Sequence, residues 1–287
     1  MTADKTRNMP ASVRQRLLNL AKARQEDFNN LLVSYALERL IYRLSVSEYA
    51  DQFVLKGALL FQVWFDIPQR PTRDADFMGT GVAEPERLIE IFRTLARMQS
   101  PELLEDGLTY LEDSITAGPI RAATAYPGVT VSLAAELARA RIPLQCDVGF
   151  GDAITPRPLR KTLPVLLPLP APMLRVYPPE TVVAEKLEAI VKLGAYNSRV
   201  KDYYDLWMLL TRGKLNREVL PTAVRATFDR RSTAIPNDVP PGLIDQYVRD
   251  RQSNWNAFVG RNEAETPPFQ EVVVFPRPQP TDSAVAF

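Results

Sequence analysis

Apolar residues recur at helical spacing through the first part of the chain, at Val13, Leu17, Leu18 and Ala21 and again at Leu31, Leu32, Tyr35, Ala36, Leu40 and Ile41. They predict one helix over Pro10 to Arg24, capped at Ser12, and a second over Asp27 to Leu44 with Arg39 and Arg43 on a wet flank. The short apolar run Phe53-Val54-Leu55 predicts a strand that stops at Lys56-Gly57, and Ala58 to Phe65 predicts a helix. From 73 to 78 the period falls to two, so Asp74 and Asp76 project from one face of a strand and Ala75 and Phe77 from the other. A further amphipathic helix is expected over Pro85 to Met98 through Leu88, Ile89, Ile91, Phe92 and Leu95. Strands are expected over 108–116, 126–133 and 142–150, the last with Asp147 between apolar neighbours. The pattern describes an α/β (α+β) domain, a mixed sheet flanked by helices.

Prolines dominate residues 156–179, and the pattern beyond them is helical, near Glu180 to Leu193, Val200 to Leu210, Arg217 to Arg231 and Leu243 to Phe258. The expected organisation is N-terminal helices over 1–50, a core over 51–160, a connector over 161–179, a helical domain over 180–262 and an extended or disordered tail over 263–287. Trp207 and Met208 fall at apolar helix positions and are expected in the core.

Composition narrows the chemistry. The chain has no histidine, which removes His-based acid–base catalysis, His-ligated zinc and Ser-His-Asp triads together. Its single cysteine, Cys146, rules out an intrachain disulfide and is pointed by strand alternation away from Asp147, into the core. A formal net charge of +1 means that any nucleic acid must be drawn to a local basic patch. Such residues lie around the strand that carries Asp147, at Arg139, Arg141, Arg157, Arg160 and Lys161, with Arg70 and Arg73 beside Asp74 and Asp76. The polar opening residues have no signal-peptide pattern and no apolar run spans a membrane, so cytoplasmic residence without membrane association is expected.

Asp74 and Asp76 on one face repel each other unless a cation lies between them, and paired carboxylates suit Mg²⁺, which leaves room for substrate phosphates. A strand, Gly57 and a helix start before them would offer backbone N–H groups to a phosphate. In the helical part, Glu185 and Lys186 lie on one helix and Arg199, Asp202 and Asp205 recur every three residues on the next. These residues fit an ion-pair seam between helices and a nucleotide-binding group equally well.

Leu55-Lys56-Gly57-Ala58, Arg73-Asp74-Ala75-Asp76, Asp147 to Asp152, Ala184-Glu185-Lys186-Leu187 and Arg199 to Leu206 occur in one order from about residue 30 to about residue 260. In this they resemble the DNA polymerase β-like nucleotidyltransferase superfamily, and within it the AbiEii/AbiGii toxin family. The chain departs from that pattern at Ala58, where the family often has Ser or a second Gly, so any phosphate contact there falls to the backbone. The resemblance implies a polymerase β-like fold and a Mg²⁺-dependent transfer of a nucleoside monophosphate from NTP to an acceptor, with Mn²⁺ able to substitute. It implies Asp74, Asp76 and Asp147 as metal ligands and catalytic carboxylates, with Lys186 and Asp205 or Asp202 as further catalytic residues. Lys56, Gly57, Ala58, Arg73, Lys186, Arg199, Lys201 and Asp202 would bind the nucleotide. It also implies a monomeric, growth-blocking toxin of phage defence, a tRNA 3′ end as acceptor, and a cognate antitoxin of the AbiEi type. A small-molecule or protein acceptor, and a nucleotide-binding module without turnover, remain open on the residues alone.

Overall fold

The computed structural model describes residues 8–65, 72–120, 127–262 and 266–274. Two compact units divide the chain: the first comprises Met1–Val63, Pro71–Gly151 and Arg160–Val176, and the second Trp64–Arg70, Asp152–Leu159 and Tyr177–Phe287.

The first unit opens with helices α1 (Met9–Arg24) and α2 (Phe28–Ser45). The N-cap of α1 is Asn8, whose side chain accepts from the Ala11 amide, and not Ser12, which lies inside the helix. Asp27 caps α2 by accepting from the Asn30 amide. There follow β1 (Phe53–Lys56), a 3₁₀ turn over Ala58–Leu60 running into the single-turn α3 (Phe61–Trp64), β2 (Asp74–Gly79), α4 (Pro85–Arg97) and the short α5 (Pro101–Leu104). Strands β3 (Leu108–Pro119), β4 (Gly128–Leu137), β5 (Ala140–Phe150), β6 (Leu159–Thr162) and β7 (Met173–Val176) complete a seven-stranded mixed sheet ordered β3-β4-β5-β2-β1-β7-β6. β5 and β2 run parallel, as do β1 and β7, whereas β1–β2, β3–β4 and β4–β5 are antiparallel.

One face of this sheet is apolar: Leu55, Ala75, Phe77, Val131, Leu133, Leu144, Cys146 and Val148 are all buried. Against the sheet lie the helices, with α2 meeting β5 and α4 meeting β3. Burial of that alternating set fixes the strand register, because a slip by one residue would turn the apolar set outward and the carboxylates inward.

Three expectations are corrected here. Arg39 and Arg43 are buried, because each finds a partner inside: Arg39 Nε stands 3.1 Å from Glu38 and its Nη2 donates to the Pro170 carbonyl, while Arg43 donates to Asp106 at 2.5 Å. The proline-rich connector carries β6 and β7, since its prolines flank those strands and do not interrupt them. The helix expected from Ala58 is a 3₁₀ turn and one α-turn.

In the second unit, α6 (Pro179–Leu193) packs on α8 (Leu220–Arg230) through Ala184, Leu187, Ala223, Val224 and Phe228. Helices α7 (Val200–Arg212), α9 (Asp245–Asn262) and α10 (Phe269–Val274) share an aromatic cluster in which Tyr203 stacks on Tyr247 and Trp255 on Phe269. Met208 is buried and Trp207 half-buried, stacked on Tyr204. Helix α10 corrects the expected structureless tail: Phe269, Val272 and Val273 are buried at i, i+3 and i+4 spacing. The remaining tail prolines, Pro276, Pro278 and Pro280, lie outside the described residues.

Candidate active site

The opposite face of the sheet carries a polar patch, and the ladder pairings set its order. Asp76 on β2 is level with Lys56 on β1 and with Asp147 on β5, and Asp147 is level with Thr130 on β4. Residues paired at one level project from the same face, so Lys56, Asp76, Asp147 and Thr130 form a single cross-strand row. One step along, Asp74 is level with Gln145, and Gln145 with Ser132. Three carboxylates from two adjacent parallel strands therefore share one patch, with strand spacing of about 4.8 Å between Asp76 and Asp147. Their charge reaches through the sheet: the Cys146 thiol is pushed far above its ordinary range by burial and then by Asp147, Asp76 and Asp74.

Each of two carboxylates has side-chain donors of its own. Asp74 Oδ1 accepts from Thr72 Oγ1 at 2.6 Å. Asp147 Oδ1 accepts from Thr130 Oγ1 at 2.7 Å, and both its oxygens accept from Gln145 Nε2 at 3.2 Å. The sequence reading missed Thr72, Thr130 and Gln145. Their signal was the polar half of the same alternation that exposed the aspartates, since Thr130 and Ser132 interleave with Val129, Val131 and Leu133.

Gly57 owes its identity to Asp76. Its φ of +75° lies in the left-handed region, and a Cβ there would stand 2.0 Å from Asp76 Oδ2. The bare backbone thus gives the carboxylate its place. Lys56 crosses the same face toward β5, where its Nζ would be 3.5 Å from a Cβ built on Gly149. Ala58 starts the 3₁₀ turn. Arg73 is directed to α2, where Nε and Nη2 donate to Asn30 Oδ1 at 3.1 and 2.9 Å.

The second unit assembles the other predicted group. Lys186 on α6 donates to Asp202 Oδ1 at 2.8 Å and to Asp205 Oδ2 at 2.7 Å on α7, and Arg199 Nε stands 2.8 Å from Asp202 Oδ2. Burial alone would lower the Lys186 pKa, but Asp205 and Asp202 outweigh it and hold the ammonium above its ordinary range. Burial likewise opposes ionisation of Asp202, and Lys186 and Arg199 reverse this and hold it below the usual range. Both aspartates engage the lysine equally. Lys201 is exposed, and Glu185 turns to Arg231, which also joins Asp152 and Glu188.

Of the expected basic surface, Arg139 and Arg141 are exposed at the β4–β5 turn, Arg157 and Lys161 are exposed, and Arg160 is tied to Asp51 at 2.8 Å. Arg70 lies outside the described residues.

The chain is a nucleotidyltransferase. Its residues 39–275 match the family model described as "Nucleotidyl transferase AbiEii toxin, Type IV TA system", and the chain belongs to that family. It is accordingly a toxin-family enzyme with a nucleotide substrate and an antitoxin partner. No curated protein matches the chain. Among solved structures it is similar to JHP933 from Helicobacter pylori, at 13% identity and a TM-score of 0.51 over 85% of this chain and 87% of that one. A candidate nucleotidyltransferase from H. pylori aligns at 12% identity and a TM-score of 0.49 over 85% and 89%. At such identity the JHP933 likeness speaks to the fold, and the family match carries the chemistry.

Among the described residues no three acidic or cysteine side chains already converge as a metal cage. The donor set nevertheless fits a hard divalent cation. Every candidate ligand is a carboxylate oxygen, and the missing Cβ of Gly57 leaves the Asp76 carboxylate its place in the patch.

Proposed function

We propose that the chain transfers a nucleoside monophosphate from an NTP to the 3′ end of a tRNA. The acceptor hydroxyl oxygen bonds to the α-phosphorus, the bond to the bridging oxygen of the β-phosphate breaks, pyrophosphate leaves, and the hydroxyl proton is lost. The observation that carries this reading is the level pairing of Asp76 with Asp147 on adjacent parallel strands, beside Asp74. Two carboxylates held that close on a half-buried surface serve a site that needs concentrated negative charge, and phosphoryl transfer is one that depends chiefly on charge neutralisation and in-line placement.

Asp74, Asp76 and Asp147 would hold Mg²⁺, or Mn²⁺ in its place, which supplies charge neutralisation on the triphosphate. Lys56 adds a cation at the same level of the sheet, suited to a phosphate oxygen. Asp147 Oδ2 would be the oxygen left to engage the cation or, in its place, to take the hydroxyl proton, since Oδ1 already accepts two donors. Lys186, Arg199 and Lys201, with Asp202 or Asp205, are assigned to nucleotide binding on the strength of the family. The same membership supports a cytoplasmic toxin acting in phage defence beside an antitoxin of the AbiEi type.

Incubation with Mg²⁺, bulk tRNA and each labelled NTP in turn tests the proposal. Label should appear at the tRNA 3′ end with one preferred nucleotide, and should vanish with a chelator or with Asp76→Asn. Absence of label on tRNA with all four nucleotides overturns the acceptor, and full turnover by a folded Asp76→Asn protein overturns the site.

A further inference from the structure

We propose that Thr130 and Gln145 are positioning residues that reserve one oxygen of Asp147, Oδ2, for the reaction. The inference rests on the reading of Asp147 as the third carboxylate of the site.

Asp147 stands level with Asp76 on the neighbouring strand, so its carboxylate is repelled by a like charge at close range. Left alone, it would rotate toward solvent. Two donors hold it instead. Thr130, directly opposite on β4, donates to Oδ1 at 2.7 Å, and the Gln145 amide, two residues back on the same face of β5, reaches Oδ1 and Oδ2 at 3.2 Å each. A carboxylate oxygen offers about two lone-pair directions. Oδ1 therefore has both filled, while Oδ2 keeps one for a cation or a proton.

Sheet formation does not require these residue types. Thr130 and Gln145 lie on the polar face, half-buried and exposed respectively, where valine would serve the strand as well as threonine. The hydroxyl is accounted for by its bond to Asp147. Gln145 is also level with Asp74, and its amide reaches the third carboxylate. The pair thus fixes the rotation of the Asp147 carboxylate, and Thr130, which donates to Oδ1 alone, sets Oδ2 as its working oxygen. Partners behind a ligating carboxylate commonly matter about 10- to 100-fold in metal affinity or activity, and partial exposure places this case toward the lower end.

The full chain is titrated with Mn²⁺ alone and with Mn²⁺ plus a non-hydrolysable NTP, and free Mn²⁺ is read by electron paramagnetic resonance. Thr130→Val should weaken Mn²⁺ binding about tenfold and Gln145→Leu by a smaller factor, while melting temperature and metal-free nucleotide binding stay as in the wild type. Thr130→Ser, which restores the hydroxyl, should return the affinity to within about twofold. Wild-type Mn²⁺ affinity in Thr130→Val overturns the inference, as does failure of Thr130→Ser to rescue it. Asp147→Asn separates the two levels. If it also leaves Mn²⁺ binding unchanged, the assignment of Asp147 to the site falls; if it abolishes binding while Thr130→Val does nothing, only the positioning role falls.

Discussion

At the scale of single residues, the place of the Asp76 carboxylate depends on what a glycine omits, and the ion-pair group of α6 and α7 on what a half-buried lysine holds together. Gly57→Ala meets two obstacles, a positive φ and a Cβ 2.0 Å from the Asp76 carboxylate, so relief requires β1 or Asp76 to move. We expect about 1–3 kcal/mol of destabilisation by urea titration from the backbone conformation alone, and loss of transfer activity beyond what the remaining folded fraction explains. Activity in proportion to folded protein would separate Gly57 from the site. Lys186 makes a different case: Lys186→Met leaves Asp202 and Asp205 buried with one counter-charge fewer, and should cost roughly 3–5 kcal/mol in the second unit. Lys186→Arg keeps the charge and should recover much of that, so nucleotide affinity is best read in this variant. An Lys186→Met protein as stable as wild type would show that the seam contributes little. Much at this scale was legible in the sequence. Alternation alone placed Asp74, Asp76 and Asp147, because the period of a strand is local. The donors were legible only as polar positions: the bond from Thr130 to Asp147 is a fact of strand pairing, which single-strand periodicity does not carry, and those from Thr72 and Gln145, each two residues from its aspartate, are set by side-chain rotation.

At the scale of elements, the long periodic segments were readable and the short ones beside prolines were not. Helix α4 and strands β4 and β5 announce themselves through many repeats of one period. Strand β7 offers four residues after Pro172, with only Leu174 and Val176 facing inward, and helix α10 offers six after Pro267 and Pro268. In sequence these prolines read as breaks, but in the fold they mark the starts of β7 and α10. The burial of Arg39 and Arg43 was hidden for another reason: their partners Glu38, Asp106 and the Pro170 carbonyl come from α2, a loop before β3 and a loop before β7. The short α10 nevertheless anchors its unit, since Phe269 is fully buried against Trp255 with ring centroids 4.8 Å apart. Phe269→Ala should therefore destabilise the second unit by about 3–5 kcal/mol, the range for a large aromatic removed from a packed core. A change below about 1 kcal/mol in chemical denaturation would mean that α10 is a loosely held appendage.

At the scale of the whole molecule, the absence of histidine leaves pH few points of entry. Ordinary carboxylates titrate below about pH 5, and without histidine no side chain of ordinary pKa changes charge between there and pH 8. Glu38, among the described residues, departs from this. Burial is the largest influence on it and pushes its carboxyl up to about 7, even though Arg39 and the Leu166 amide favour the charged form. The sign follows from proton binding: between about pH 4.5 and 7 the folded chain holds a proton on Glu38 that the unfolded chain has lost, so stability falls as pH rises through this window. The full difference between the two pKa values corresponds to roughly 3 kcal/mol, an upper bound for a group this close to a guanidinium. We predict that the urea midpoint of the wild-type protein declines from pH 5 to pH 8, and that Glu38→Gln, which keeps an acceptor for the Leu166 amide without the charge, flattens the decline. Parallel pH profiles for the two proteins would place the titrating group elsewhere. A profile that rises with pH would mean that Arg39 stabilises the Glu38 carboxylate more than burial opposes it.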